Sequence, residues 1–246
     1  MEVHHHSHTA RKKWTHYFWE FLMLFLAVFC GFLAENQREH YIEHLREKQY
    51  VRSLLEDIQI DTATIKRIYN RAVIQSKRLD SLIELGSYAS MNKENVTRLY
   101  MLHGQTTRFL NIRFEDGTSA QLKNAGGLRL IRNKKVVSSL RQYWNQIESF
   151  YRIRDRLEMA GEKIADVSSR VFYNKFFISA DDPLEPPSGI KADATLISED
   201  AKLMAEYINR VVSKSIRTKI YLAELSEAIR TTEELIILIK QQYHLK

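Results

Sequence analysis

Few residues in this chain combine the types and spacing that chemistry needs. His4, His5, His6 and His8 form the densest cluster of metal-binding side chains. Neutral imidazoles suit transition metals, but a tail with no fold to fix their geometry binds weakly and without selectivity. Residues 1–13 are therefore expected to be a disordered His-rich and basic tail, with no metal assigned to it. His40 and His44 stand four apart, on one helical face, yet no acid or cysteine is arranged beside them as a motif. They read as part of an exposed polar face. Asp181-Asp182 adjoins the three prolines of residues 183–187, a polar loop in which acids are usual. Glu115 or Asp116, upstream of the Gly126-Gly127 pair, could supply the acid of an envelope hydrolase if that turn lined a pocket with several convergent polar groups. The glycine pair lacks both the GxGxxG spacing and the GK[ST] ending of phosphate loops. HExxH, GxSxG and DxD patterns are absent as well. The sole cysteine, Cys30, permits neither an internal disulfide nor a cysteine zinc site. No catalytic, cofactor-binding or metal residue is assigned, and the chain is read as non-enzymatic.

The formal charge of +7 raises the question of an acidic partner. Arg129, Arg132, Lys134, Lys135 and Arg141, with Tyr143 and Trp144 nearby, match a nucleic-acid patch in composition only. The positive charges are scattered among many acids, which describes a solvated helix surface, and no nucleic acid is expected. Arg152, Arg154 and Arg156 alternate, so on a helix they spread over different faces.

The stretch that dictates architecture is residues 17–34, YFWEFLMLFLAVFCGFLA. Its eighteen residues would cover about 27 Å as a helix, close to the ~30 Å hydrocarbon core of a bilayer. Glu20 then lies near the headgroups, and Trp14, Tyr17 and Trp19 supply interfacial rings. A buried core helix is the competing reading. This run is apolar on every face and follows Arg11-Lys12-Lys13, which favours a membrane segment over residues 14–34. Cleavage as a secretory signal is disfavoured: Phe32 faces Ala34, and Phe29 faces Gly31, at the positions where the peptidase needs small residues. Phe29 before Cys30 is also too large for a lipoprotein signal. The segment is thus a signal anchor in contact with the lipid bilayer. Its basic N-terminal flank, against Arg38 alone in the first ten residues beyond it, places the N-terminus in the cytoplasm and the C-terminal part in the periplasm.

Beyond the anchor, glycine and proline are scarce, which argues for long helices. Val51, Leu54, Leu55, Ile58, Ile65, Tyr69, Ala72, Leu79 and Ile83 make one apolar stripe, predicting a helix from the membrane to about Leu85. Shorter helices are expected over Asn92–Arg108 and Thr118–Lys123, separated by a loop at Phe109–Gly117 and followed by a break at Asn124–Gly127. A long helix should run from Asn133 to about Phe177, with a loop from Ile178 to Ala194 and an N-cap at Ser198. In the last helix Met204, Ile208, Val211, Ser215, Thr218, Leu222, Leu225, Ile229, Thr232, Ile236, Ile239 and Tyr243 alternate steps of four and three. That is a coiled-coil register, weakened in its polar middle at Ser213–Lys219. The class is all-α: a transmembrane helix continuing into an elongated antiparallel helical bundle or coiled coil over residues 35–246.

The stretches EFLMLFLAVFCGFLAEN and REKQYVRSLLEDIQIDT, with TSAQLKNAGGLRLIRNKKVVSSLRQYW further on, resemble an uncharacterised family of small single-pass membrane proteins of Bacteroidota-type bacteria. The resemblance implies an N-terminal membrane helix, a helical remainder and no particular activity. The expected function is a membrane-anchored interaction or scaffold protein of the bacterial inner membrane, acting on a protein partner or as a homo-oligomer. The alternatives are a ligand-sensing input module working through a partner, or an envelope hydrolase.

Overall fold

The structure, a computed structural model, describes residues 14–88, 91–104, 113–124, 126–178 and 187–245. The fold is all-α; among the described residues the only extended pairing is one two-stranded sheet and a single bridge between Phe172 and Leu196. Its elements are α1 (Trp14–Tyr88), α2 (Lys93–His103), α3 (Gly117–Asn124), α4 (Lys134–Ser168), β1 (Phe177–Ile178), β2 (Gly189–Ile190) and α5 (Ala201–Tyr243), with single 3-10 turns at Gly127–Leu130 and Asn174–Phe176. Two compact units divide it, Met1–Tyr50 and Val51–Lys246.

In the first unit the described residues are all helix. Its most apolar window has a mean hydropathy of 2.0 and no buried residue, so this helix is long and apolar enough to cross a membrane. Phe21, Phe25 and Phe29 repeat every four residues and stack with ring centroids 6.3 and 5.9 Å apart. Water cannot solvate such a surface cheaply, whereas lipid chains can. The His-rich tail lies outside the described residues.

The second unit is a bundle of three long helices. Lys66 pairs with Glu233 at 2.6 Å, and Asp80 with Lys219 at 2.9 Å, so α1 and α5 run antiparallel. Asn133 donates to Gln242 at 2.6 Å and Thr231 to Gln146 at 2.7 Å, while Arg170, just past α4, reaches Glu206 at 3.3 Å. Hence α4 is also antiparallel to α5. Helices α1 and α4 therefore run the same way, which requires a connection as long as the helices, and the segment carrying α2 and α3 supplies it.

Burial explains why these helices assemble. One core cluster joins Ile65, Ile68 and Ala72 of α1 to Phe150 and Leu157 of α4 and to Tyr221, Leu225 and Ala228 of α5. A second joins Leu79, Leu82 and Leu85 to α2, to the end of α4 and to Met204, Tyr207 and Val211. Helix starts are satisfied by side-chain caps: Asn92 accepts from Asn95 N–H at 2.8 Å, Asn133 from Lys135 and Val136, and Asp200 from Leu203 at 2.8 Å. The α5 cap is thus Asp200 and not Ser198, whose hydroxyl instead accepts from Asp200 N–H at 3.2 Å.

Three further expectations are corrected. α4 stops at Ser168, not Phe177, and the non-helical chain beyond it still places Phe172 and Phe176 in the second core. Part of the proline-bearing loop is ordered as sheet, Phe177 pairing with Ile190 and Ile178 with Gly189. Gly86 does not end α1; a Cβ there would lie 2.3 Å from Ile208 Cδ1, so the glycine lets α5 approach. Gly126 adopts φ 65°, a left-handed turn suited to glycine, before the 3-10 turn. The predicted second helix ends at His103, and residues 105–112 are outside the described part.

Candidate functional site

The buried ionisable groups are the first places to look for chemistry. Asp61 of α1 is fully buried; its Oδ1 accepts from the Glu115 backbone N–H at 2.9 Å and its Oδ2 from the Tyr143 hydroxyl. Burial raises its carboxyl to about 6 against the opposing pull of those two donors, and Asp57, one turn away, adds to the rise. The Tyr143 phenol is pushed well above its ordinary range by burial and by the adjacent carboxylate. His103 stacks flat on Phe172, centroids 4.3 Å apart, with its Nδ1 2.9 Å from the Tyr207 hydroxyl. Burial holds its imidazole down at about 4, hence neutral. Lys214, buried on α5, is lowered to about 8 for the same reason. None of Asp61, His103 and Lys214 lines any of four cavities found on the second unit. These groups organise the core.

The feature that faces outward is a groove between α4 and α5, about 530 Å³ in volume. From α4 it takes Ile153, Arg156, Met159, Ala160 and Lys163, and from α5 Arg210, Ser213, Ile216, Arg217 and Ile220. The sequence builds it in a simple way. Leu157 and Ile164 of α4, with Val211 and Thr218 of α5, turn into the core. The small Ala160 and Ser213 sit at the seam and leave a depression, while long side chains a turn away form the walls. Met159, Ile216 and Ile220 are 55%, 55% and 54% exposed, an apolar surface left to water. Arg217 is held in place by donating to the Ser213 carbonyl at 3.0 Å and to its hydroxyl. Arg210 has only a loose contact with Glu206 at 3.9 Å. Arg156 and Lys163 form no ion pair among the described residues. Four cations and no carboxylate line the groove.

The sequence-level candidates fare differently. His40 and His44 lie exposed on α1, facing Glu43 at 3.8 Å and Glu47 at 3.5 Å, and no group of metal ligands occurs among the described residues. The Glu115 and Asp116 side chains are exposed and line none of the four cavities; Gly127 packs against Leu122. Tyr143 and Trp144 are buried, Trp144 donating to Ser119 at 2.9 Å, so neither offers a ring beside the basic run for stacking. Arg152, Arg154 and Arg156 do diverge: Arg156 enters the groove, Arg154 pairs with Asp155 at 2.8 Å, and Arg152 lines a shallow polar cavity. Asp181-Asp182 lies outside the described residues.

The groove itself was missed by motif searching. A signal existed, because Arg156 and Lys163, and likewise Arg210 and Arg217, are seven residues apart and so repeat on one face of each helix. Comparison with protein-family models, with curated proteins and with solved structures returns no match.

Proposed function

We propose that this chain is a membrane-anchored interaction protein of the bacterial envelope, held by residues 14–34 and docking a protein partner on its helical bundle, with no catalysis of its own. The single observation that supports this most is the α4–α5 groove, in which exposed apolar side chains lie beside four cations, Arg156 and Lys163 without an ion pair among the described residues and Arg210 with only a loose one to Glu206. Burying half-exposed Ile and Met side chains contributes on the order of 1 kcal/mol each, so they favour a partner that covers them. The groove is bordered by exposed side chains and does not enclose its contents, whereas small-ligand sites bury most of the ligand. The basic flank at Arg11, Lys12 and Lys13 supports a cytoplasmic N-terminus and a periplasmic bundle.

The test is a photo-crosslinking amino acid placed at Ile216 in the full chain, activated in native membranes. A discrete protein adduct, absent when the same group replaces the exposed Glu224 of the shallow polar face, is the expected result. Recovery of uncrosslinked monomer alone from Ile216 would count decisively against docking at the groove. Reporter fusions at the C-terminus, one active only in the periplasm and one only in the cytoplasm, check the orientation.

A further inference from the structure

The cations of the groove follow a helical rhythm. The cross-helix pairs Gln146–Thr231 and Arg170–Glu206 fix the register: α5 descends one residue for each that α4 ascends. On that register Arg156 stands level with Ile220, Arg217 with Met159, Lys163 with Ser213, and Arg210 one turn further along. Read along the groove, positive charge therefore alternates between the two walls at steps of three, four and three residues, roughly 4.5, 6 and 4.5 Å. Apolar Met159, Ile216 and Ile220 stand on the same two walls beside these cations, more than half exposed.

We infer that the groove receives an acidic amphipathic α-helix from a partner protein, laid along the α4–α5 seam as an added helix of the bundle. This rests on the docking reading above and names the chemistry of what docks. Spacing carries the argument. A helix in the groove advances by the same 1.5 Å per residue as its walls, so carboxylates at i, i+3, i+7 and i+10 meet the four cations in turn. Those carboxylates form one narrow stripe, and apolar residues at i+4, i+6, i+11 and i+13, on its two flanks, cover the exposed apolar side chains, as helix-in-groove recognition requires. Lipid acyl chains would also cover these side chains, but a headgroup concentrates its charge at one end, whereas these cations are spread over about 15 Å. The absence of any carboxylate in the lining means that a basic helix would be repelled.

The probe is a fluorescein-labelled synthetic helix of eighteen residues, Glu at i, i+3, i+7 and i+10 and Leu on the flanks of that stripe at i+4, i+6, i+11 and i+13. It is titrated by fluorescence anisotropy with the full chain in non-ionic detergent micelles. Two comparison peptides accompany it: one of identical composition with the Glu residues out of register, and one with Lys replacing Glu. The in-register peptide should bind at least tenfold more tightly than the out-of-register peptide, and the Lys peptide should not bind. Arg156→Glu and Arg217→Glu should each weaken binding about tenfold, and affinity should fall as salt rises. Because surface charge reversal can perturb folding, Ser149→Glu at the shallow polar face serves as a control that must leave binding unchanged. Equal binding of in-register and out-of-register peptides overturns the acidic-helix assignment. So does binding that moves instead to anionic over zwitterionic lipid vesicles. In either case a protein adduct from Ile216 in native membranes would leave the docking reading standing, and loss of that adduct would remove both.

Discussion

The buried pair of titrating groups makes a sharp prediction for Asp61→Asn. In the folded chain Asp61 is raised from 3.8 to about 6, so folding is favoured while it is protonated and penalised once it ionises. Its contribution is present below pH 3.8 and is lost as pH rises to about 6, amounting to about 3 kcal/mol. His103 has the opposite sense. Its imidazole falls from 6.5 to about 4, so its contribution is complete above 6.5 and is lost as pH falls through 4, also about 3 kcal/mol. Between pH 4 and 6.5 the two slopes nearly cancel in the wild type. Asparagine removes one of them; its amide keeps an acceptor for the Glu115 N–H and offers a donor to the Tyr143 hydroxyl. The variant should therefore gain about 3 kcal/mol relative to wild type between pH 4 and 6.5. The assay is urea unfolding of the full chain in non-ionic detergent micelles, with Trp14→Phe and Trp19→Phe leaving Trp144 as the fluorescent reporter. Taking the difference between variant and wild type at each pH cancels every group common to both. A difference constant to within about 0.5 kcal/mol across that range would refute the assignment of Asp61 as a buried, burial-shifted carboxyl.

Other outcomes follow from the same core. Lys214→Met should raise stability at pH 7 by about 1–3 kcal/mol, since an ammonium whose folded value is lowered to about 8 penalises folding at lower pH; the gain, read by thermal denaturation, should shrink toward pH 10.5. Tyr143→Phe leaves Asp61 Oδ2 without that donor and should cost about 1–3 kcal/mol at pH 7 and less at pH 4, where Asp61 carries its proton. Asp200→Ala removes the α5 cap and should cost about 1 kcal/mol in urea unfolding, with hydrogen exchange rising first at Leu203.

The helical class, the long apolar N-terminal helix and the inner stripes of α1 and α5 were legible in the sequence, because they depend on composition and periodicity within one element. Residues 17–34 have no polar face in any arrangement, and Met204, Ile208, Val211, Ser215 and Thr218 point inward in the structure as their spacing requires. What periodicity could not supply was the number of neighbours. From Tyr221 onward the α5 seam widens by one position: Tyr221, Ala228 and Leu235 are fully buried, while Leu222, Ile229 and Ile236 are only half-buried. A helix packed against two others buries a broader stripe than one side of a two-stranded coil. The polar middle that reads as a weak pairing holds buried Thr218 and the Ser215–Asp80 hydrogen bond at 2.8 Å, a cross-helix contact invisible from either helix alone. The same holds for Asp61, whose partners come from residues 115 and 143. The groove belongs to this second kind. Each helix encodes its own pair of cations seven residues apart, but only the antiparallel register of α4 against α5 interleaves them into one line of charge beside exposed apolar side chains.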